Sequence, residues 1–353
     1  MVADVASVNG TNVAVCIYES PLDFDAASQP VTIQLFNGTN VIATQAIQLR
    51  RPPVVLVHDG WSGPGIWPAL MSQLLDAGMD VYLVDYSFTS GSPLNANDYR
   101  IFLQANQALT LARQSGFAAL RMDLVGHGAG GILARLHAQR YAAQDTNYRK
   151  GDVHKLLTIG TPHQGSWLAA LLVNLRTNNP AAYASLRSAV LSASAAAGQY
   201  PPADLHSGWL DDLAPGSAIL SGLEATSVPS HAIQTTIGTM PPGDMISFIH
   251  YYLGLTNQGD GFATTNSAAG GMNPNAVTGF NGTPHAFQPF DTNVTARVLA
   301  LLTQPFFGSN NFAFFPAAGC PQIPRQPSLF PPSEHGSHYQ AQPMVNPSPL
   351  ARQ

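Results

Sequence analysis

The chain has 353 residues, of which 45% are hydrophobic and only 10% are charged, and its formal net charge is −5. This length allows one large α/β domain with attachments, and the hydrophobic content is sufficient for a large core. No basic field is present, which argues against nucleic acid as a partner. No apolar run reaches the roughly 18 residues that a membrane span requires, so we expect no transmembrane segment.

Two cysteines, Cys16 and Cys320, lie far apart in the sequence, and spacing alone leaves open whether they pair. Residues 1–10 lack the basic and apolar blocks of a signal peptide, although a signal removed before residue 1 would leave the same pattern. The low charge and the few lysines favour an exported bacterial protein. We therefore expect a secreted or extracytoplasmic location, and the sequence leaves the oligomeric state undetermined.

Residues 1–50 predict two β-hairpins. Alternating apolar runs flank Asn9-Gly10 and again Asn37-Gly38. Asn-Gly favours the type I′ turn because both residues tolerate positive φ. The hairpins either lead into the main sheet or form a small separate β domain.

Strands and helices alternate over residues 51–304, a pattern that predicts a mostly parallel sheet with helices on both faces. Residues from about 168 to 228 predict a helical cap insertion, and the Pro- and Gly-rich tail, 305–353, is either disordered or packed along the body. We predict strands at Val54–Val57, Val81–Val84, Met122–Val125, Lys155–Ile159 and His231–Ile237, and helices at Trp67–Ala77, Tyr99–Ser115, from near Ala129 through Tyr141, and at Asn293–Leu302.

The turn after the Met122–Val125 strand has the frame G-x-?-x-G of a nucleophile elbow, with Gly128 at its centre. A serine at that centre is strained, and glycine removes both the strain and the only atom able to form an acyl-enzyme. The same stretch also fits the dinucleotide-binding pattern G-x-G-x-x-G through Gly126, Gly128 and Gly131. That alternative is disfavoured because two βα units precede the turn and Asp145, the nearest acidic candidate, lies in a polar loop.

Several segments, in order from about residue 53 to 302, resemble bacterial triacylglycerol lipases and related esterases of the α/β-hydrolase superfamily. The resemblance implies the α/β-hydrolase fold with a helical cap. Its segments are Val54–Trp61, similar to the strand and oxyanion loop of that family, Val125–Gly131, similar to its elbow, and Thr158–Ser166, Asp212–Ser217, Gln258–Gly261 and Pro284-His285.

The resemblance implies a triad order of nucleophile, acid and histidine, which places Gly128, Asp260 and His285 in those roles. It also implies an oxyanion hole that uses the N–H of Ala129 and one from the loop after His58. Because Asp59 separates His58 from the glycine that normally follows, the second donor is either Gly60 or Trp61.

Other residues offer weaker alternatives for each role, and His127 and His163 are expected to orient loops only. The H-x-x-H pair of the tail has no further ligands at metal-binding spacing, so we expect no metal and no cofactor. The alternatives are His250 for the base, Asp244 and Asp291 for the acid, Ser62 and Ser166 for the nucleophile, and His335 with His338 for a metal.

Two hypotheses follow for the function. In the first, the protein is a serine-type carboxylic ester hydrolase inactivated by glycine at position 128 but still able to bind substrate. In the second, it is a natural non-catalytic pseudoenzyme that binds an ester, a lipid or a protein partner. We favour the first because selection would have no reason to keep Asp260 and His285 in place without a nucleophilic serine. The apolar segments Leu168–Leu172, Leu191–Ala197 and Met245–Leu255 favour an ester with an apolar acyl part.

Overall fold

The computed structural model describes residues 4–15, 23–24, 28–141, 151–199, 202–238, 244–256, 258–306 and 308–317. The predictions made for Cys16, Cys320, Asp145 and the pair His335 and His338 lie outside these residues.

Two antiparallel hairpins form at the N-terminus, each as a two-stranded sheet of its own. Strand β1 (Asp4–Val8) pairs with β2 (Thr11–Val15), and β3 (Ser28–Asn37) pairs with β4 (Asn40–Arg50). Asn9 and Gly10 both have positive φ, 52° and 78°, as the type I′ turn requires.

Six parallel strands form the central sheet in the order β10-β9-β8-β7-β5-β6. Strands β5, β7 and β8 are buried along their whole length, as expected where both faces of a parallel sheet are covered. The strands are β5 (Val54–Val57), β6 (Val81–Val84), β7 (Met122–His127), β8 (Val153–Ile159), β9 (Ser230–Thr236) and β10 (Val277–Asn281).

Helices cover both faces of this sheet, and alternate residues of β5 belong to different cores. Val54 and Leu56 pack with α1 (Pro68–Asp76) and α10 (Thr292–Thr303). Val55 and Val57 pack with α2 (Leu94–Gln114) and α3 (Ala129–Arg140). The alternation of side chains along a strand thus divides the core into two layers, and the predicted α/β-hydrolase fold is confirmed.

The predicted helical insertion is present between β8 and β9, and a further helical segment follows β9. Within the described residues, no helix is both long enough and apolar enough to cross a bilayer. The helices are α4 (Trp167–Asn178), α5 (Pro180–Ala196), α6 (Gly208–Asp212), α7 (Ala218–Ser221), α8 (Met245–Leu253) and α9 (Thr265–Ala269).

Two details of the predicted elements were wrong. The helix expected from Tyr99 begins five residues earlier, at Leu94, directly after Pro93, whose fixed φ suits a helix start. Strand β10 was not predicted, because its sequence VTGFN contains only two strongly apolar residues and it lies at the sheet edge, half-buried.

A buried ionic cluster lies beside the end of α10. The Asp23 carboxylate is 3.1 Å from the Arg51 guanidinium and 3.1 Å from the Lys155 ammonium, and all three side chains are almost fully buried. Burial alone would raise the pKa of Asp23, but the positive charge of Lys155 and the N–H of Phe24 lower it. Asp23 is therefore held as a carboxylate.

The first residues of the tail, up to 317, pack on the hydrolase body. Ala313 forms an antiparallel bridge with Ser230, at the start of β9. Phe315 is fully buried, its ring centroid is 4.2 Å from that of His163, and the Arg135 guanidinium lies 4.9 Å above it.

Candidate active site

Gly128 lies at the sharp turn between β7 and α3, with φ 53° and ψ −123°. This is the left-handed region, in which a residue with a side chain is strained. A Cβ built on Gly128 would come within 2.5 Å of three Asp59 atoms, Cγ, Oδ1 and Oδ2. The space of a nucleophilic side chain is therefore filled by the carboxylate of Asp59.

The other glycines of the turn are required by packing. A Cβ on Gly126 would overlap the backbone of Gly131. A Cβ on Gly130 would overlap the carbonyl of His58, and one on Gly131 would overlap the Thr161 side chain. The close approach of α3 to β5 and β8 thus depends on this frame of glycines.

Asp59 follows β5, and both of its carboxylate oxygens are hydrogen-bonded. Oδ1 accepts from the N–H of Ala129 at 2.6 Å, and Oδ2 accepts from Nε2 of His285 at 3.0 Å. Burial would raise the pKa of Asp59, but the hydrogen bond and charge of His285 and the Ala129 N–H lower it. The carboxylate therefore remains ionised, at the N-terminus of a helix, where anions are stabilised.

The structure brings the predicted acid and histidine together. Nδ1 of His285 donates to Oδ2 of Asp260 at 2.7 Å, and Oδ1 of Asp260 accepts the N–H groups of Phe262 and Ala263 at 2.9 and 2.7 Å. Gln288 donates to Oδ2 of Asp260 at 2.8 Å. The acid is thus fixed by four donors around one carboxylate.

Both ring nitrogens of His285 face carboxylates. Burial would lower the pKa of His285, but Asp260 and Asp59 together raise it to about 10. His285 is therefore an imidazolium that donates in both directions. In this arrangement neither nitrogen has a lone pair with which to accept a proton from a nucleophile.

His127, at the end of β7, stacks on His285 with ring centroids 4.7 Å apart. Its Nε2 donates to the backbone carbonyl of His285 at 3.0 Å. Burial and the neighbouring His285 charge lower the pKa of His127 to about 4, so this ring is neutral.

The three predicted oxyanion-hole residues lie around Asp59. The N–H of Ala129 already donates to the Asp59 carboxylate. Gly60 and Trp61 both line the cavity beside Asp59, and Trp61 has positive φ, 51°. A Cβ on Gly60 would overlap the Trp209 indole, which explains glycine at that position.

The alternative base and acids have other partners. Nε2 of His250 donates to the carbonyl of Gly261 at 2.7 Å and so braces the loop that carries the acid. Asp244 caps the N-terminus of α8, and Asp291 caps that of α10.

The two alternative nucleophiles also have structural hydrogen bonds. Ser62 donates to the backbone carbonyl of Asp59 at 2.8 Å. Ser166 caps the N-terminus of α4 and donates to the carbonyl of Phe262 at 2.7 Å. His163, assigned no chemistry from the sequence, lies 3.1 Å from the Thr158 hydroxyl.

A cavity of about 800 Å³ opens over Asp59, His127 and His285, within the range of small-molecule sites. Its apolar wall comes from α5 and α8, including Ala193, Ile246 and Phe248. Of the apolar segments singled out in the sequence, 191–197 and 245–255 contribute to this wall. Leu168, Leu171 and Leu172 lie in the hydrophobic core instead.

Sequence reasoning did not assign Asp59 or Gln288 to the site. The signal for Asp59 was visible as the extra residue between His58 and Gly60, but its side-chain direction was not. Nothing in the local sequence marks Gln288, which reaches Asp260 only through the loop that follows β10.

The chain belongs to the Alpha/beta hydrolase family, which it matches over residues 54–288. It is 28% identical over 152 residues to a triacylglycerol lipase of Burkholderia plantarii, a segment that covers 41% of this chain and 38% of that lipase. It is 29% identical over 143 residues to a triacylglycerol lipase of Pseudarthrobacter phenanthrenivorans, covering 38% of this chain and 40% of the relative. The matched segment thus spans less than half of each relative.

Solved structures with a similar fold include a Bacillus licheniformis lipase in its propeptide form, with 17% identity, a TM-score of 0.45, and coverage of 72% of this chain and 51% of that one. A second is the Staphylococcus hyicus lipase, with 14% identity, a TM-score of 0.45, and coverage of 71% and 94%.

Proposed function

We propose that this protein binds an ester or carboxylic acid with an apolar acyl chain, in a lipase-like site that does not form a serine acyl-enzyme. The observation that carries the proposal is the position of the Asp59 carboxylate, which fills the space a residue at 128 would need. It also makes the two contacts that a nucleophile and an oxyanion would make, to His285 and to the Ala129 N–H.

This geometry favours the second of the two hypotheses drawn from the sequence. A serine changed only to glycine would leave one departure from the lipase pattern. Here two departures, Gly128 and Asp59, face each other across the same gap and fit together. Asp59 also gives Asp260 and His285 a partner, so their presence no longer requires a serine.

The ligand class follows from the cavity. Its walls are mainly apolar, and its floor carries the charged pair of Asp59 and His285. An acyl chain would remove apolar surface from water, at about 0.8 kcal/mol per methylene. The ester or carboxylate head would then lie towards the polar floor.

Displacement of a fluorescent fatty acid by saturated acids and esters of increasing chain length tests this proposal. We expect saturable binding that tightens about fourfold with each methylene until the cavity is filled. Ala193→Trp should abolish it, because Ala193 lines the cavity, whereas Ala195→Trp, at an exposed position of the same helix, should leave it unchanged.

A serine-directed phosphonate supplies the second arm. We expect no covalent adduct by mass spectrometry, since removal of a triad nucleophile costs on the order of 10⁶ in turnover. An adduct on any serine, or the same affinity for short and long acyl chains, would contradict the proposal.

A further inference from the structure

Three buried residues from separate parts of the chain converge at the floor of the cavity. Asp59, His127 and His285 each offer one ligand atom, and these atoms all lie within 4.8 Å of one another. The Asp59 Oδ2 to His285 Nε2 distance is 3.0 Å. Two imidazoles and one carboxylate are the donor set of many transition-metal sites.

The outer hydrogen bonds of both histidines suit metal binding. Nδ1 of His285 is occupied by Asp260, which leaves Nε2 as the ligand atom. Nε2 of His127 donates to the carbonyl of His285, so the lone pair of that neutral ring lies on Nδ1. A carboxylate or backbone carbonyl behind each imidazole is the usual arrangement around metal-binding histidines.

Nδ1 of His127 is buried and has no hydrogen-bond partner. The side chain is 2% exposed. Leaving a buried polar atom unpaired costs about 1–3 kcal/mol, so such an atom requires an explanation. A bound cation would satisfy this nitrogen and would replace the proton that Asp59 and His285 share.

We propose that Asp59, His127 and His285 bind a divalent transition-metal cation of the zinc type. Ligand atoms at 2.0–2.2 Å from a tetrahedral ion lie about 3.4 Å apart. Metal binding would therefore require the His127 ring to turn out of its stack on His285. All three residues line the cavity, and the fourth position would therefore face a bound ligand. Gly128 then has a definite role, because any side chain there would displace the metal-binding carboxylate.

Titration of chelator-treated full-length protein with Zn²⁺ by calorimetry, and with Co²⁺ by visible absorption, tests the site. We expect one strong site per chain, visible Co²⁺ bands of a four- or five-coordinate ion, and a higher melting temperature with Zn²⁺. Asp59→Asn and His127→Gln should each weaken binding at least tenfold. Circular dichroism should show that both variants are folded.

Two controls separate this site from other metal binding. Asp244→Asn changes a carboxylate that lines the same cavity but lies outside the cluster, and it should bind as the wild type does. The double variant His335→Gln/His338→Gln removes the tail pair and should also keep the strong site. Strong binding that survives both Asp59→Asn and His127→Gln, or its absence from the wild type, would overturn the proposal.

The metal titrations contain no ester or fatty acid, so their failure would leave the proposed acyl binding standing. Conversely, loss of acyl binding in Ala193→Trp with an intact metal site would affect only the proposed function.

Discussion

The carboxylate of Asp59 occupies the volume that a side chain at position 128 would need, and glycine at that position leaves the volume free. A serine introduced at 128 would meet Asp59 within 2.5 Å, whichever carboxylate atom is considered. The two positions lie 69 residues apart in the numbering, and only the fold brings them together.

The first prediction concerns restoration of a serine. Gly128→Ser alone should remain inactive on p-nitrophenyl esters and lose stability, because Asp59 blocks the side chain and retains His285 as an imidazolium. Asp59→Gly/Gly128→Ser restores the lipase-like spacing after His58 and frees Nε2 of His285. We expect ester hydrolysis at least a hundredfold above that of Gly128→Ser, measured as kcat/KM.

His285→Ala in the double variant should abolish the gained activity, since the base would be lost. If Gly128→Ser by itself were as active as the double variant, Asp59 would not obstruct the site. That result would return the protein to the disarmed serine hydrolase first expected from its sequence.

A second prediction concerns the start of the tail. Phe315 is fully buried against His163 and Arg135, whereas its neighbour Phe314 is 58% exposed. Phe315→Ala should lower the free energy of unfolding by about 3–5 kcal/mol, and Phe314→Ala by less than about 0.5 kcal/mol. Urea unfolding of the two variants checks this, and equal effects would show that the segment does not anchor the body.

A third prediction concerns the buried ionic cluster. Asp23→Asn should destabilise the protein by about 3 kcal/mol, because the buried Lys155 ammonium and Arg51 would lose their counter-charge. Asp76→Asn, an exposed aspartate on α1, is the matched control and should change stability by less than about 0.5 kcal/mol. Thermal and urea unfolding at neutral pH would measure both, and a neutral Asp23→Asn would show that the cluster is dispensable.

The fourth prediction concerns acid. His231 is buried, with Nδ1 2.6 Å from the carbonyl of Asn311, and burial lowers its pKa to about 4. Unfolding restores an ordinary pKa near 6.5, so between these values the unfolded chain binds the extra proton and stability falls with falling pH. The contribution of His231 alone should lower the free energy of unfolding by about 2 kcal/mol between pH 7 and pH 5.

His231→Gln should therefore show a shallower loss of stability between those two pH values, whatever its stability at pH 7. His206→Gln, which changes an exposed histidine, should keep the wild-type slope. Identical slopes for wild type and His231→Gln would rule out His231 as a source of acid sensitivity.

The sequence predicted the central strands, the helical insertion and the proximity of Asp260 to His285, because periodicity and the order of the lipase-like segments report backbone topology. It could not predict that Asp59 turns inward, since a side-chain direction after a strand depends on the space available. That space was created by Gly128. His127 was likewise treated as a loop residue, although its ring lies against His285.

The glycine frame of the elbow has a wider consequence. Gly126, Gly130 and Gly131 are kept free of side chains by the contact between a helix and two strands, whether or not a nucleophile stands between them. A chain of this fold without a nucleophile therefore still requires the turn, because any larger residue at these glycines would force the helix away from the sheet. The glycine frame of the elbow is thus a requirement of packing. Whether such a chain can form an acyl-enzyme has to be judged from the residue at position 128.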